Sequence, residues 1–313
     1  MKRVFVYLIL IMYAWTPPGH TASQVVIDDG GRKIKVDKPF SRIISLYGAH
    51  TENLMALGLT HEIIGINQGE DERFGLEGKK EFSYHDGPER YLAEKPDLVL
   101  IRPMIDRGYS RLFSRLEQSG ITVLSFQPGS IDEMYDYWRN LGVLTGKAKQ
   151  AEAMITNFKA SVSEIREKTK TIMPPKRVYF EAMHRQMKTF SKHSMAMFCL
   201  ATAGGVNIAE DAEPSRGTNI GIYGKERILS HAHEIDVFLV QIGRMNQVDL
   251  STIIDEPGFD IIKAVRENQI YFIDEMLVSR PTPRLIQGVK QIGAALYPEV
   301  FKGEYPMSRE VAP

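Results

Sequence analysis

A single cysteine, Cys199, stands in 313 residues, so no intramolecular disulfide can form and no four-cysteine metal site can be built. An excess of one charge is lacking too. Lysine plus arginine (39) balances aspartate plus glutamate (39), without the basic footprint of a nucleic-acid binder. No G-x-S-x-G elbow, Walker loop, H-E-x-x-H or C-x-x-C is present, so the usual hydrolase, nucleotide, metalloprotease and redox signatures are missing. Gly204-Gly205 closes a helical stretch instead of opening one after a strand, which makes it a poor phosphate cradle. A secreted hydrolase remains as an alternative only through a triad assembled from distant positions. Beyond the first residues no apolar run approaches the ~20 residues that span a bilayer. What is there is ordinary globular composition, 43% hydrophobic and 25% charged, which excludes a disordered or collagen-like chain.

The first 23 residues read as a signal peptide. Lys2 and Arg3 precede the uncharged apolar run 4–15, then Thr16-Pro17-Pro18-Gly19 and the small residues Thr21-Ala22-Ser23. Cleavage there removes two cations and no acid, leaving a slightly acidic mature chain. No cysteine follows the run to take a lipid, so the expected product is a soluble protein released into the periplasm.

The mature chain alternates short apolar runs with helical stretches. An Asp28-Asp29-Gly30-Gly31 turn joins the arms of a hairpin. Compact runs at 42–46, 63–66, 97–101 and 122–126 read as strands, with helices at 51–57, 89–93, 109–119 and 131–144 between or after them. Continuous apolar strands point to parallel sheets covered on both faces. The stretch 147–169 breaks the alternation. Ala151, Met154, Ile155, Phe158, Val162 and Ile165 recur at helical steps without glycine or proline, giving one helix of about 30 Å. Alternation then restarts. The expected fold is α/β: two Rossmann-like lobes with parallel sheets, residues 24–146 and 171–313, joined by a backbone helix over 147–170.

In open α/β sheets, ligands meet the loops at the carboxyl ends of strands. Those loops carry Tyr47 and His50, then Asn67, Gln68 and Glu70, then Arg102, and in the second half Glu181, His184 and Arg185, Arg244, and Glu275, Met276 and Arg280. Four arginines at strand ends of a neutral chain predict a local site for an anion, since guanidinium is always charged and presents a planar fork of donors. The competing expectation is that each pairs with an acid such as Asp106, Glu181, Asp249 or Asp274. Tyr47, His50 and His184 are candidates to touch a chelate, and the two histidines are candidate metal ligands.

Several phrases resemble the substrate-binding proteins of bacterial ABC importers for iron chelates and cobalamin, the type with a rigid helical backbone. They are Pro39 to Leu46, Thr51 to Leu59, Pro88 to Leu100 ending in Lys95-Pro96-Asp97-Leu98-Val99, Ala203 to Ile208, and Ser279 to Leu285. The resemblance runs from about Val25 to Phe301. It implies a non-enzymatic, exported, monomeric solute receptor with no intrinsic cofactor. The receptor would hand an iron or cobalt chelate (a ferric siderophore, with haem or a corrinoid as variants) to a permease with a cytoplasmic ATPase. It also implies that Glu89 and Glu226, each near the start of a helix, dock on the transporter. A bare oxyanion such as molybdate or tungstate is the alternative ligand.

Overall fold

The computed structural model describes residues 24–70, 75–215 and 218–303. The signal-peptide segment lies outside them. Strands β1 (Gln24–Ile27) and β2 (Lys33–Val36) form the expected hairpin. Its turn is tied down by Asp28, whose buried carboxylate accepts from the Arg32 and Ser125 backbone amides.

The first sheet contains β3 (Ile43–Ser45), β4 (Ile63–Asn67), β5 (Lys80–Phe82), β6 (Leu98–Ile101) and β7 (Thr122–Ser125). Their order is β5-β4-β3-β6-β7 and every pairing is parallel. The order reverses at β3/β6, so the carboxyl ends of those two strands open a crevice. Two adjacent core clusters, one containing Ile44, Val99 and Phe113 and the other Ile43, Leu98 and Trp138, cover the two faces.

The second sheet has β8 (Arg177–Met183), β9 (Lys188–Phe190), β10 (Val206–Asn207), β11 (Glu213–Pro214), β12 (Ile220–Ile222), β13 (Val237–Ile242) and β14 (Ile270–Asp274). Here the structure adds to the expectation of parallel strands. β10, β8, β13 and β14 are parallel, but β9, β12 and β11 extend the sheet antiparallel beyond β8. A one-turn reversal at His184–Gln186, with Met187 left-handed at φ 48°, makes β9 fold straight back on β8. Short length and mixed polarity hide these edge strands in the sequence. The second switch point lies between β8 and β13.

Helix Ala148–Thr169 stands between the two sheets in chain order and buries Ala151, Ile155, Phe158, Val162 and Ile165. The halves also join away from the chain crossing. Trp138, fully buried on helix Ile131–Leu144, packs its ring against Phe158 of the long helix at 5.4 Å. Its Nε1–H donates to the Pro281 carbonyl at 3.2 Å, and Asn53 Nδ2 donates to the same oxygen at 3.0 Å. Two first-half side chains therefore meet at one second-half proline. The first-lobe helix begins at Gly48, not at Thr51. The Thr51 hydroxyl is used inside, against Ser45 Oγ at 2.7 Å, so it caps nothing.

Candidate ligand-binding cleft

The two switch points place side chains in a shared cleft. Tyr47 follows β3 and Arg102 follows β6, which are neighbours in the sheet, and the Arg102 guanidinium lies 5.2 Å from the centre of the Tyr47 ring. Burial pushes the Tyr47 hydroxyl pKa up, while Arg280 and Arg102 pull it down. From the second lobe, Arg280 reaches the same spot. Its Nη2 lies 3.9 Å from Glu70 Oε1, and its Nη1 is buried without a hydrogen-bond acceptor among the described residues. Arg244, exposed on the loop after β13, donates from Nη2 to the Gly69 carbonyl at 3.4 Å. Tyr47, Arg102, Arg244 and Arg280 are thus brought together with the loop 68–70.

The acids of the cleft matter more than their positions in the sequence suggest. Glu70 faces Arg280, and the Glu275 side chain lies so close over Gly243 that a Cβ there would fall 2.1 Å from its carboxyl carbon. Both glutamates act on Tyr47 through their charge. The site interleaves cations with acids instead of presenting a uniformly positive wall. Asp106, expected as an alternative partner for a strand-end arginine, instead holds Arg32 through two hydrogen bonds of 2.8 Å.

Three expected ligand contacts are corrected by the geometry. His50 is fully buried. Its Nε2 lies 2.8 Å from the Ile101 carbonyl and its Nδ1 2.6 Å from the Tyr137 hydroxyl. A carbonyl only accepts, so Nε2 carries the hydrogen and Nδ1 accepts from tyrosine, leaving no lone pair for a metal. Burial lowers its pKa to about 4, consistent with a neutral ring. His50 supports the cleft from behind, edge-on to Tyr47 at 5.2 Å.

His184 and Glu181 are also turned away. Glu181 is fully buried and lies 3.0 Å from His184 Nδ1, while His184 Nε2 lies 3.3 Å from Glu256 Oε2. A carboxyl group at each nitrogen favours the protonated ring, and a protonated ring offers no lone pair. Its pKa is raised, first by the Glu181 hydrogen bond and against the effect of burial. Glu256 continues to Lys225, the first residue of helix Lys225–Ser230. On the other side, the His184 backbone amide donates to Asn246 Oδ1 at 2.9 Å, and Asn246 closes the loop that bears Arg244. Arg185 is exposed, with no ion pair among the described residues. Among those residues no group of three or more His, Cys, Asp or Glu is arranged to hold a metal ion.

Glu89 and Glu226 each occupy the first turn of a short helix, Pro88–Ala93 and Lys225–Ser230, and both are exposed. The two helices open alike, Gly87-Pro88-Glu89-Arg90 and Gly224-Lys225-Glu226-Arg227. Arg90 is drawn to Asp86 and the Glu81 carbonyl, and Arg227 to Asp211, so neither arginine neutralises its neighbouring glutamate. Cys199 is buried, with its thiol pKa pushed up by desolvation. No helix among the described residues is long and apolar enough to cross a membrane.

The profile of the periplasmic binding protein family matches residues 43–277. The chain belongs to the periplasmic binding protein family. Membership bears out the resemblance read from the sequence and accounts for two α/β halves about one long helix. Relatives span its length. An uncharacterized ABC transporter substrate-binding lipoprotein of Bacillus subtilis is 28% identical over 286 residues, covering 89% of this chain and 87% of that protein. A vitamin B12-binding protein of Vibrio cholerae is 24% identical, covering 82% and 89%. Among solved structures, a possible iron-binding (periplasmic solute-binding) protein of Staphylococcus epidermidis is 27% identical with a TM-score of 0.72, covering 83% of this chain and 100% of the other.

Proposed function

We propose that this periplasmic binding protein is an exported solute receptor of an ABC importer, and that its solute is an anionic metal chelate, a ferric siderophore in particular. The metal is cargo, held by its chelator and not by protein side chains. What carries the reading is the convergence of Arg102, Arg244 and Arg280 from both lobes beside Tyr47. Guanidinium forks suit the oxygens of carboxylate, catecholate or hydroxamate. Tyrosine offers a flat apolar face with a polar tip. A vitamin B12-binding protein and a possible iron-binding protein among its relatives support a metal-containing solute.

Delivery falls to Glu89 and Glu226, one on each lobe, exposed and without an ion pair among the described residues. They suit cationic side chains of a permease.

The test is the absorbance spectrum and native mass of the protein purified from its own compartment. A coloured ligand of several hundred daltons is expected. A colourless small adduct would sink the chelate and favour an oxyanion such as molybdate.

A further inference from the structure

The loop after β4 is gripped by both second-lobe arginines of the cleft. Arg244 takes the Gly69 carbonyl, and Arg280 takes the Glu70 carboxylate at 3.9 Å. The Arg280–Glu70 pair spans the two lobes and is shielded, its side chains 13% and 6% exposed. At that separation it is an ion contact longer than a hydrogen bond. The Arg280 Nη1 donor, buried and without an acceptor among the described residues, is held in reserve. The backbone is shaped around the pair. A Cβ on Gly48 would fall 1.9 Å from Arg280 Nη1 and 2.7 Å from Glu70 Oε1.

A shielded guanidinium without a counter-charge is unfavourable, so an anionic group that faces Arg280 is favoured. Glu70 does so from the chain itself, but at a distance that leaves the strongest geometry, a bidentate fork, unused. A ligand bearing an oxyanion can take over the fork and release Glu70. An uncharged ligand cannot, and must fit beside an intact ion pair.

We propose that Glu70 is an internal stand-in for the oxyanion of the ligand on Arg280, and that replacing it selects anionic chelates over uncharged ones. This rests on the chelate reading above and assigns it a selectivity residue.

The full-length protein, Glu70→Gln, Arg280→Gln and the double variant test it in two ways. Chemical unfolding without any chelate reads the pair itself. The product of the single-variant effects on the unfolding constant should exceed the double-variant effect by about fivefold or more, equivalent to about 1 kcal/mol of coupling. Titration with a ferric tris-catecholate and with cyanocobalamin, which is uncharged overall, reads the exchange. Glu70→Gln should tighten the ferric tris-catecholate by tenfold or more and leave cyanocobalamin within twofold. Glu70→Ala repeats the titration with a second uncharged side chain, should the glutamine variant fold poorly. Additive unfolding effects with chelate binding intact would overturn the stand-in alone, as would unchanged or weaker catecholate binding by both uncharged variants. Coupling present with neither chelate bound by any variant would overturn the chelate reading and, with it, the exchange.

Discussion

His184 Nε2 lies 3.3 Å from Glu256 Oε2, and the other oxygen of that carboxylate holds Lys225 at the head of the helix bearing Glu226. With Glu181 on Nδ1, the ring sits between two carboxylates and titrates above its ordinary 6.5. The raised pKa makes the ring's contribution to stability complete below pH 6.5 and lost as pH rises through the folded-state value. Glu256→Gln is expected to lower the His184 midpoint in an NMR titration. It should also reduce stability more at pH 6 than at pH 9, measured by denaturant unfolding. A midpoint unmoved by the substitution would show that the two groups are not coupled.

His50 shifts the opposite way. Its folded pKa of about 4 lies below 6.5, so its contribution is present above pH 6.5 and is lost as pH falls through about 4. The loss amounts to about 3 kcal/mol. His50→Gln should flatten the stability profile across that window, and should leave the metal content of the loaded protein unchanged. Loss of bound metal at neutral pH would mean that the ring reaches the cargo after all.

Arg102→Ala and Arg244→Ala are each expected to weaken an anionic chelate by about 1.5–3 kcal/mol, the cost of a lost charged hydrogen bond. Arg185→Ala serves as the comparison and should leave the dissociation constant unchanged. Equal dissociation constants for all three variants and the parent, measured by calorimetry, would remove the arginines from the cleft.

Reversal of Glu89 and Glu226 together to lysine should abolish uptake in cells expressing the cognate importer while ligand affinity stays the same. Both side chains are exposed and make no contact with Tyr47, Arg102, Arg244 or Arg280 among the described residues, so an affinity change would contradict their assignment to docking.

Gly48→Ala drives a methyl into the Arg280–Glu70 contact. Overpacking of this kind costs about 1–3 kcal/mol. Thermal unfolding should show the loss, and the affinity for an anionic chelate should fall with it. An alanine variant as stable as the parent would mean that the guanidinium has free room to move.

The helices and buried strands are readable in the sequence because each carries its own period. The residues buried on Ala148–Thr169, from Ala151 through Ile165, recur at three- and four-residue steps and so form a stripe on any helix the segment adopts. The strand-end rule places Tyr47, Arg102 and Arg244 after β3, β6 and β13, strands at the two switch points, whereas Arg280 comes only after helix Glu275–Val278. It fails for His50 and Glu181 for the same local reason. Both lie close to a strand end, but one points down the first helix into Tyr137 and the other belongs to β8 and faces inward. Partners are the least readable. Glu70 and Arg280 lie far apart in sequence, as do Glu256 and His184, and no local pattern announces an ion pair formed by the folding of distant loops. Edge strands β9 to β12 are two or three residues long, too short for any period to register.

Pro281 and helix Ala148–Thr169 are two of the attachments between the halves, and a line through both is an axis. Rotation about it barely displaces a residue that lies beside it and sweeps one that lies away from it. Arg280 adjoins the Pro281 staple, whereas Arg244 stands on an exposed loop whose hold on the first half is a single 3.4 Å bond to Gly69. Of the two arginines, Arg280 therefore lies beside the staple, and Arg244 lies on the part of the second half tied to the first by one long hydrogen bond.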